Sequence, residues 1–187
     1  MSIIFIAGAP GCGKSTVAAL LHKKLKCPYF EFGWIPEFRN LNPYLEISYE
    51  QEEKLSFESL MLVAQNYLRH GYEHVILTDI RYEFLGELQK CFGQQMDTVI
   101  LYCDSDDVIC QRILNRNNGN EYRDTQAACR INAQIKADMQ KVDAFWIASD
   151  MVTPEKIADK IVAVLGLDPT IKNTGTRSAQ STTKHEK

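Results

Sequence analysis

The chain has 187 residues, 45% apolar and 24% charged, a balance that fits one globular domain with a continuous core. Its formal net charge of −3 gives no general attraction to nucleic acid or anionic membrane, so local basic groups would have to supply any such contact. No apolar run approaches the ~20 residues needed to span a bilayer, and the N-terminus lacks the basic segment of a signal peptide. In chain order, Ile3-Ile4-Phe5-Ile6-Ala7 is a short β-branched run with the character of a buried parallel strand. Gly8-Ala9-Pro10-Gly11-Cys12-Gly13-Lys14-Ser15 follows, and residues 16–26 then place Val17, Leu20, Leu21 and Leu25 on one helical face. A second strand is expected around residues 29–32. Gly33, Pro36, Asn40, Asn42 and Pro43 mark the next stretch as a loop.

A long helix is expected over residues 49–70, with Leu55, Leu62 and Leu68 joining Phe57, Met61, Val63 and Ala64 on its buried side and Gly71 ending it. Val75-Ile76-Leu77-Thr78 reads as a third strand, leading into Asp79-Ile80-Arg81, and a shorter helix covers about 83–91. Residues 98–103 form a fourth strand. A helix opened by Asp104-Ser105-Asp106 runs to about Arg116, where acidic residues suit its positive end. Asn117-Asn118-Gly119-Asn120 breaks that helix, and another is expected over 124–142. A fifth strand spans 144–148, and a last helix spans 154–165, capped by Thr153 with Pro154 in its first turn and ended by Gly166. Alternating strands and helices imply an open parallel α/β sheet covered on both faces. Residues 1–167 read as one domain. Residues 168–187 are too polar to offset the entropy of ordering and are expected to be disordered.

The segment from Gly8 to Ser15 fits Gly-x-x-x-x-Gly-Lys-Ser between a strand and a helix. Glycines there let main-chain amides approach an anion closely, and the helix N-terminus adds unpaired N–H groups and a favourable dipole. This reading makes Gly8, Ala9, Pro10, Gly11, Cys12, Gly13, Lys14, Ser15 and Thr16 a nucleoside triphosphate cradle. Lys14 reaches the β/γ-phosphates and the Ser15 hydroxyl ligates Mg²⁺. Ligands of such sheets lie at the carboxyl ends of the strands, which brings Glu37, Arg39, Asp79 and Arg81 to the same crevice. Asp79 is the second candidate for Mg²⁺, directly or through water. Arg81 and Arg39 are candidates for an anionic group on an acceptor. Glu37 is a candidate general base, with Glu31 its competitor inside the strand. Trp34 is a candidate for stacking on an acceptor or for burial.

Arg112 and Arg116 share a helix end at i,i+4 spacing, and Arg123 and Arg130 follow the Asn/Gly break. Four guanidiniums around such a segment suit the neutralisation of transferring phosphate. The six cysteines, Cys12, Cys27, Cys91, Cys103, Cys110 and Cys129, form no Cys-x-x-Cys pair, which points to reduced thiols in the cytoplasm. Cys12 lies in the loop at an electropositive position that would favour its thiolate, although the position also accepts any small residue.

On these residues the chain resembles the P-loop kinases of the nucleoside-monophosphate-kinase-like group. The resemblance rests on residues 8–15, on Cys103-Asp104 followed by Arg112-Ile113-Leu114-Asn115-Arg116, and on Ser149-Asp150-Met151-Val152-Thr153-Pro154-Glu155-Lys156-Ile157. It implies a three-layer fold with a five-stranded parallel sheet in the order 2-3-1-4-5 and a short lid over about 117–124. It also implies ATP as donor, with Arg112 on adenine and Arg116 on donor phosphates. Phe32-Gly33-Trp34-Ile35-Pro36-Glu37-Phe38 is similar to the matching loop of chloramphenicol phosphotransferase-like kinases, which implies a base at Glu37 after a one-residue shift. The Gly-Phe-Pro-Arg segment of adenylate kinases is absent after strand three. The expected function is transfer of the γ-phosphate of Mg-ATP to a small acceptor, with Lys14, Glu37, Arg116 and Arg123 catalytic and Arg130 among the acceptor contacts. The alternative is an ATPase or switch module acting through a protein partner. A polynucleotide-kinase-like enzyme would want a basic groove that the acidic balance disfavours.

Overall fold

Ser2–Gly8 becomes the central strand, β1, because Ile3, Ile4, Phe5 and Ile6 are apolar on both faces and none of the four retains any exposure. This computed structural model describes residues 1–37, 47–117 and 121–167. The other strands are β2 (Tyr29–Glu31), β3 (His74–Thr78), β4 (Met96–Tyr102) and β5 (Phe145–Ala148). All are parallel, in the order β2-β3-β1-β4-β5 that the resemblance implied. Ile4 of β1 stands opposite Ile76 of β3 on one side and Asp97 of β4 on the other.

The helices are α1 (Lys14–Leu25), α2 (Trp34–Glu37), α3 (Tyr49–Arg69), α4 (Leu85–Phe92), α5 (Asp106–Leu114), α6 (Thr125–Ala137) and α7 (Pro154–Val164). In this strand order, right-handed crossovers put α1 on one face of the sheet, where it packs with α7, and α3 to α6 on the other. Two helix starts follow local chemistry. Ser48 and Gln51 make a reciprocal capping box at α3, and the Thr153 hydroxyl accepts from the Lys156 amide ahead of Pro154 at α7.

Three expectations need correction. Leu55 and Leu62 are 50% and 63% exposed, because the buried face of α3 runs Phe57, Leu60, Met61, Ala64 and Leu68, and a period of 3.6 puts positions 55 and 62 opposite it. The stretch after Gly33 is not all loop, since Trp34–Glu37 makes one helical turn. The helix expected over 124–142 stops at Ala137 and continues as turns. The expected tail at 168–187 and the centre of the expected lid lie outside the described residues. Among the described residues, no helix is long and apolar enough to cross a membrane.

Gly8 ends β1 with φ of 148°, and a Cβ there would stand 2.4 Å from the Leu101 carbonyl oxygen of β4. Both backbone strain and overlap oppose a side chain at this central position. Gly8→Ala is expected to cost about 3 kcal/mol of stability, within the range of strain at special backbone positions. Urea unfolding measures it, and a loss under about 0.5 kcal/mol would show that β1 and β4 can separate freely.

Candidate active site

The carboxyl ends of β1, β2, β3 and β5 meet at a cleft of about 570 Å³. Its floor is Pro10 to Thr16, the turn between β1 and α1. Gly11 and Gly13 both adopt φ of 89°, and Gly13 is the N-cap of α1, so the helix points its free N–H groups into the cleft. Space at Gly11 is also tight, since a Cβ would meet Ile109 and Ile113 of α5 at 3.2–3.3 Å. Gly8 and Ala9 stand behind the loop, not on the cleft wall. The Ala9 carbonyl accepts from the Cys12 amide at 3.2 Å and from Lys14 Nζ at 3.3 Å.

Lys14 is thus folded back along its own loop, with Ser15 and Thr16 open to the cleft. Burial lowers the pKa of Lys14, and the negative charge of Asp79 works against that shift. Asp79 follows β3 with φ of 62°, left-handed for a residue with a side chain, and it lines the cleft opposite the loop. Enclosure by the cleft walls raises its pKa, Lys14 offsets part of the rise, and the like charge of Glu31 adds to it. Glu31 itself is the last residue of β2 and lines the same cleft, accepting a hydrogen bond from the Tyr29 hydroxyl. Burial, then Glu31, push the Tyr29 hydroxyl up, so it stays a donor. Trp34 meets Tyr29 edge-on at 5.1 Å between ring centroids, which ties its ring to the protein.

The two arginines of α5 differ. Arg112 is clamped: Nη1 donates to the Gly11 carbonyl and to Ser149 Oγ, both at 3.3 Å, and Nη2 donates to the Ser149 carbonyl at 2.7 Å. Arg116 lies just past the helix end and lines the cleft beside Tyr122. Val152, Pro154 and Ile157 supply an apolar wall next to Arg112, of the kind a nucleobase needs.

Other candidates fall elsewhere. Arg81 points away from the cleft, with Nη1 3.0 Å from Glu53 of α3 and Nε 3.5 Å from Glu83. The Arg123 guanidinium donates to the Tyr122 carbonyl at 3.0 Å, and Arg130 is exposed on α6; neither lines the cleft. Arg39 and the Glu37 side chain lie outside the described residues.

Beneath the loop, Cys12 does not behave as its position suggested. Its thiol is 1% exposed and its pKa is pushed up by the adjoining Cys103, 3.8 Å away, and by burial. Cys103 is the thiol brought down, to about 7, by hydrogen bonding from Cys12 and Ser149 and by the charge of Arg112, against burial. Asn132 of α6 completes this layer. It accepts from the Cys103 amide at 3.1 Å and donates to the Cys103 carbonyl at 2.9 Å. Its sequence signal was a polar residue on the apolar Ala128/Ile135 face of α6. Glu31 was also legible, as the carboxylate closing a strand whose carboxyl end faces the ligand.

This sheet order, with a glycine-rich loop between the central strand and a helix and arginines across the cleft, defines a P-loop protein of the nucleoside-monophosphate-kinase-like kind. A family profile described as an AAA domain matches residues 4–133, and the chain belongs to that family. The adenylate kinase of Corynebacterium diphtheriae is 28% identical over 136 residues, covering 65% of this chain and 74% of that protein. Among solved structures, the tunicamycin resistance protein of Deinococcus radiodurans matches with TM-score 0.67 and 21% identity over 89% of this chain and 96% of its own. Shikimate kinase from Acinetobacter baumannii, solved with shikimate, matches with TM-score 0.59 and 19% identity over 88% of this chain and 93% of its own. At these identities the two structures speak to the fold.

Proposed function

We propose that the chain is a kinase that transfers the γ-phosphate of Mg-ATP to a small acceptor carrying a hydroxyl or phosphate group. The observation that supports this most is one cleft lined together by Lys14, Ser15, Asp79, Glu31, Arg112 and Arg116. The apolar wall with Arg112 suits the base, the loop amides suit the phosphates, and Arg116 suits the charge that develops on the transferring group.

Magnesium fits the oxygen donors present, since the Ser15 hydroxyl and the Asp79 carboxylate both face the cleft. Among the described residues no three His, Cys, Asp or Glu could hold a metal together, so the nucleotide's own oxygens would complete the shell. The ion would supply charge neutralisation on the phosphates. Lys14 would hold the same oxygens from the loop side.

Glu31 is the described carboxylate best placed to accept the acceptor's proton, with Tyr29 fixing its orientation. Glu31→Gln is expected to slow transfer by about 10²–10³-fold while ATP affinity changes less than about twofold, the signature of a lost general base. Transfer at the wild-type rate would move that role to Glu37, which Glu37→Gln tests in the same assay. The function itself is tested by ATP consumption across nucleotides, sugars, aminoglycosides and other hydroxyl compounds. An acceptor that raises turnover well above basal hydrolysis supports the kinase reading. Stimulation only by a protein would support a switch module.

A further inference from the structure

Away from the cleft, a second pair of thiols bridges α5 and α6. Cys110 Sγ and Cys129 Sγ stand 4.0 Å apart, and both residues are half-buried and within reach of solvent. We propose that Cys110 and Cys129 form a reversible redox site, closed to a disulfide by a small disulfide such as glutathione disulfide, and that the link slows nucleotide exchange at the phosphate loop.

A disulfide needs the sulfurs about 2 Å closer, a shift within reach of side-chain rotation on two helices already in contact. The Cys129 thiol is pushed up to about 11 by burial and by its neighbour, so it keeps its proton and Cys110 is the attacking sulfur. The Cys110 thiolate attacks one sulfur of glutathione disulfide, forming a mixed disulfide and expelling one glutathione thiolate. Cys129 then gives up its proton and attacks the Cys110 sulfur, which expels the second glutathione. Two protein thiols are oxidised, one glutathione disulfide is reduced, and the two protons end on the released thiols.

The consequence at the loop follows from what each helix holds. Arg112 of α5 donates to the Gly11 carbonyl. Asn132 of α6 bonds both main-chain groups of Cys103, and the Cys12 thiol faces its Oδ1 at 3.8 Å. The two helices therefore grip the loop from below at neighbouring points. A covalent link two residues before Arg112 and three before Asn132 fixes their spacing, so the loop loses freedom to open and release nucleotide. The other close pair, Cys12 and Cys103, is 1% and 0% exposed, and should stay reduced.

The test incubates the full chain with glutathione disulfide, maps the thiols by mass spectrometry, and measures release of a fluorescent ATP analogue before and after dithiothreitol. The expected product is an internal 110–129 link, a nucleotide off-rate at least threefold slower, and full reversal by reductant. Cys110→Ser and Cys129→Ser should each abolish both changes, with Cys91→Ser as an exposed-thiol control that keeps them. Stable glutathione adducts, a link between other cysteines, or a 110–129 link with an unchanged off-rate would each overturn the proposal. It rests on the nucleotide-binding part of the function above and not on phosphoryl transfer. An analogue that never binds defeats that reading of the loop, whereas an analogue that binds and leaves at one rate in both redox states defeats this site.

Discussion

Lys14→Ala is expected to lower the affinity for Mg-ATP and the turnover together, by about 10²–10³-fold or more, with the fold kept. Among the described residues the ammonium is the one lysine charge on the cleft wall, and a phosphate-binding charge in an enclosed site is worth several times its value in water. Its hydrogen bond runs to the Ala9 carbonyl at 3.3 Å, and removing that bond costs about 1 kcal/mol. For a chain of this size that is a fall in Tm of roughly 2–4 °C, small enough to separate from unfolding. A second consequence follows from the coupling to Asp79. Lys14 offsets part of the rise that burial imposes on the Asp79 carboxyl, so without it Asp79 should hold its proton to higher pH. Residual activity in the variant should therefore begin its acid-side fall at a higher pH than in the wild type. Nucleotide titration and a thermal melt of the same preparation decide the matter. Unchanged affinity in a folded variant would remove the loop from the phosphate site.

What the sequence disclosed and what it hid divide along the range of the interactions. The loop from Gly8 to Ser15, the apolar run of β1 and the Thr153-Pro154 start of α7 are set by neighbours in the chain, so pattern and spacing were enough to read them. Asp79 was legible for the same reason, as the first polar residue after an apolar strand. Arg81 was misplaced because its partner Glu53 comes from α3, 28 residues away, and no local pattern announces that ion pair. Of the two readings of Cys12, the thiolate one fails for a related cause. Its pKa is governed by Cys103, 91 positions along, and by burial beneath the loop, not by the charge of Lys14 two residues on. The leucines of α3 show the third kind of failure. Counting apolar residues over 49–70 included Leu55 and Leu62, whereas the 3.6-residue period alone would have put them on the outer face.

The contrast between Arg116 and Arg112 gives the second large effect. Arg116→Ala is expected to lower kcat by about 10³-fold with little change in the KM for ATP, the pattern of a group that acts on charge developing in transfer. It sits past the end of α5, on the cleft and across from Asp79 and Lys14, so its removal should barely disturb packing. Arg112 is committed to the Gly11 and Ser149 carbonyls, and Arg112→Ala leaves those acceptors without their donor. That variant should lose stability and raise the KM for ATP, because the loop and the apolar wall lose the brace between them. Arg116→Lys keeps the charge but not the planar fork, and should recover only part of the loss. Steady-state kinetics with the acceptor that the panel identifies, alongside unfolding of each variant, separates the two roles. If Arg116→Ala raises KM alone, or if both variants fail in the same way, then Arg116 belongs to the scaffold and does not act on the transferring phosphate.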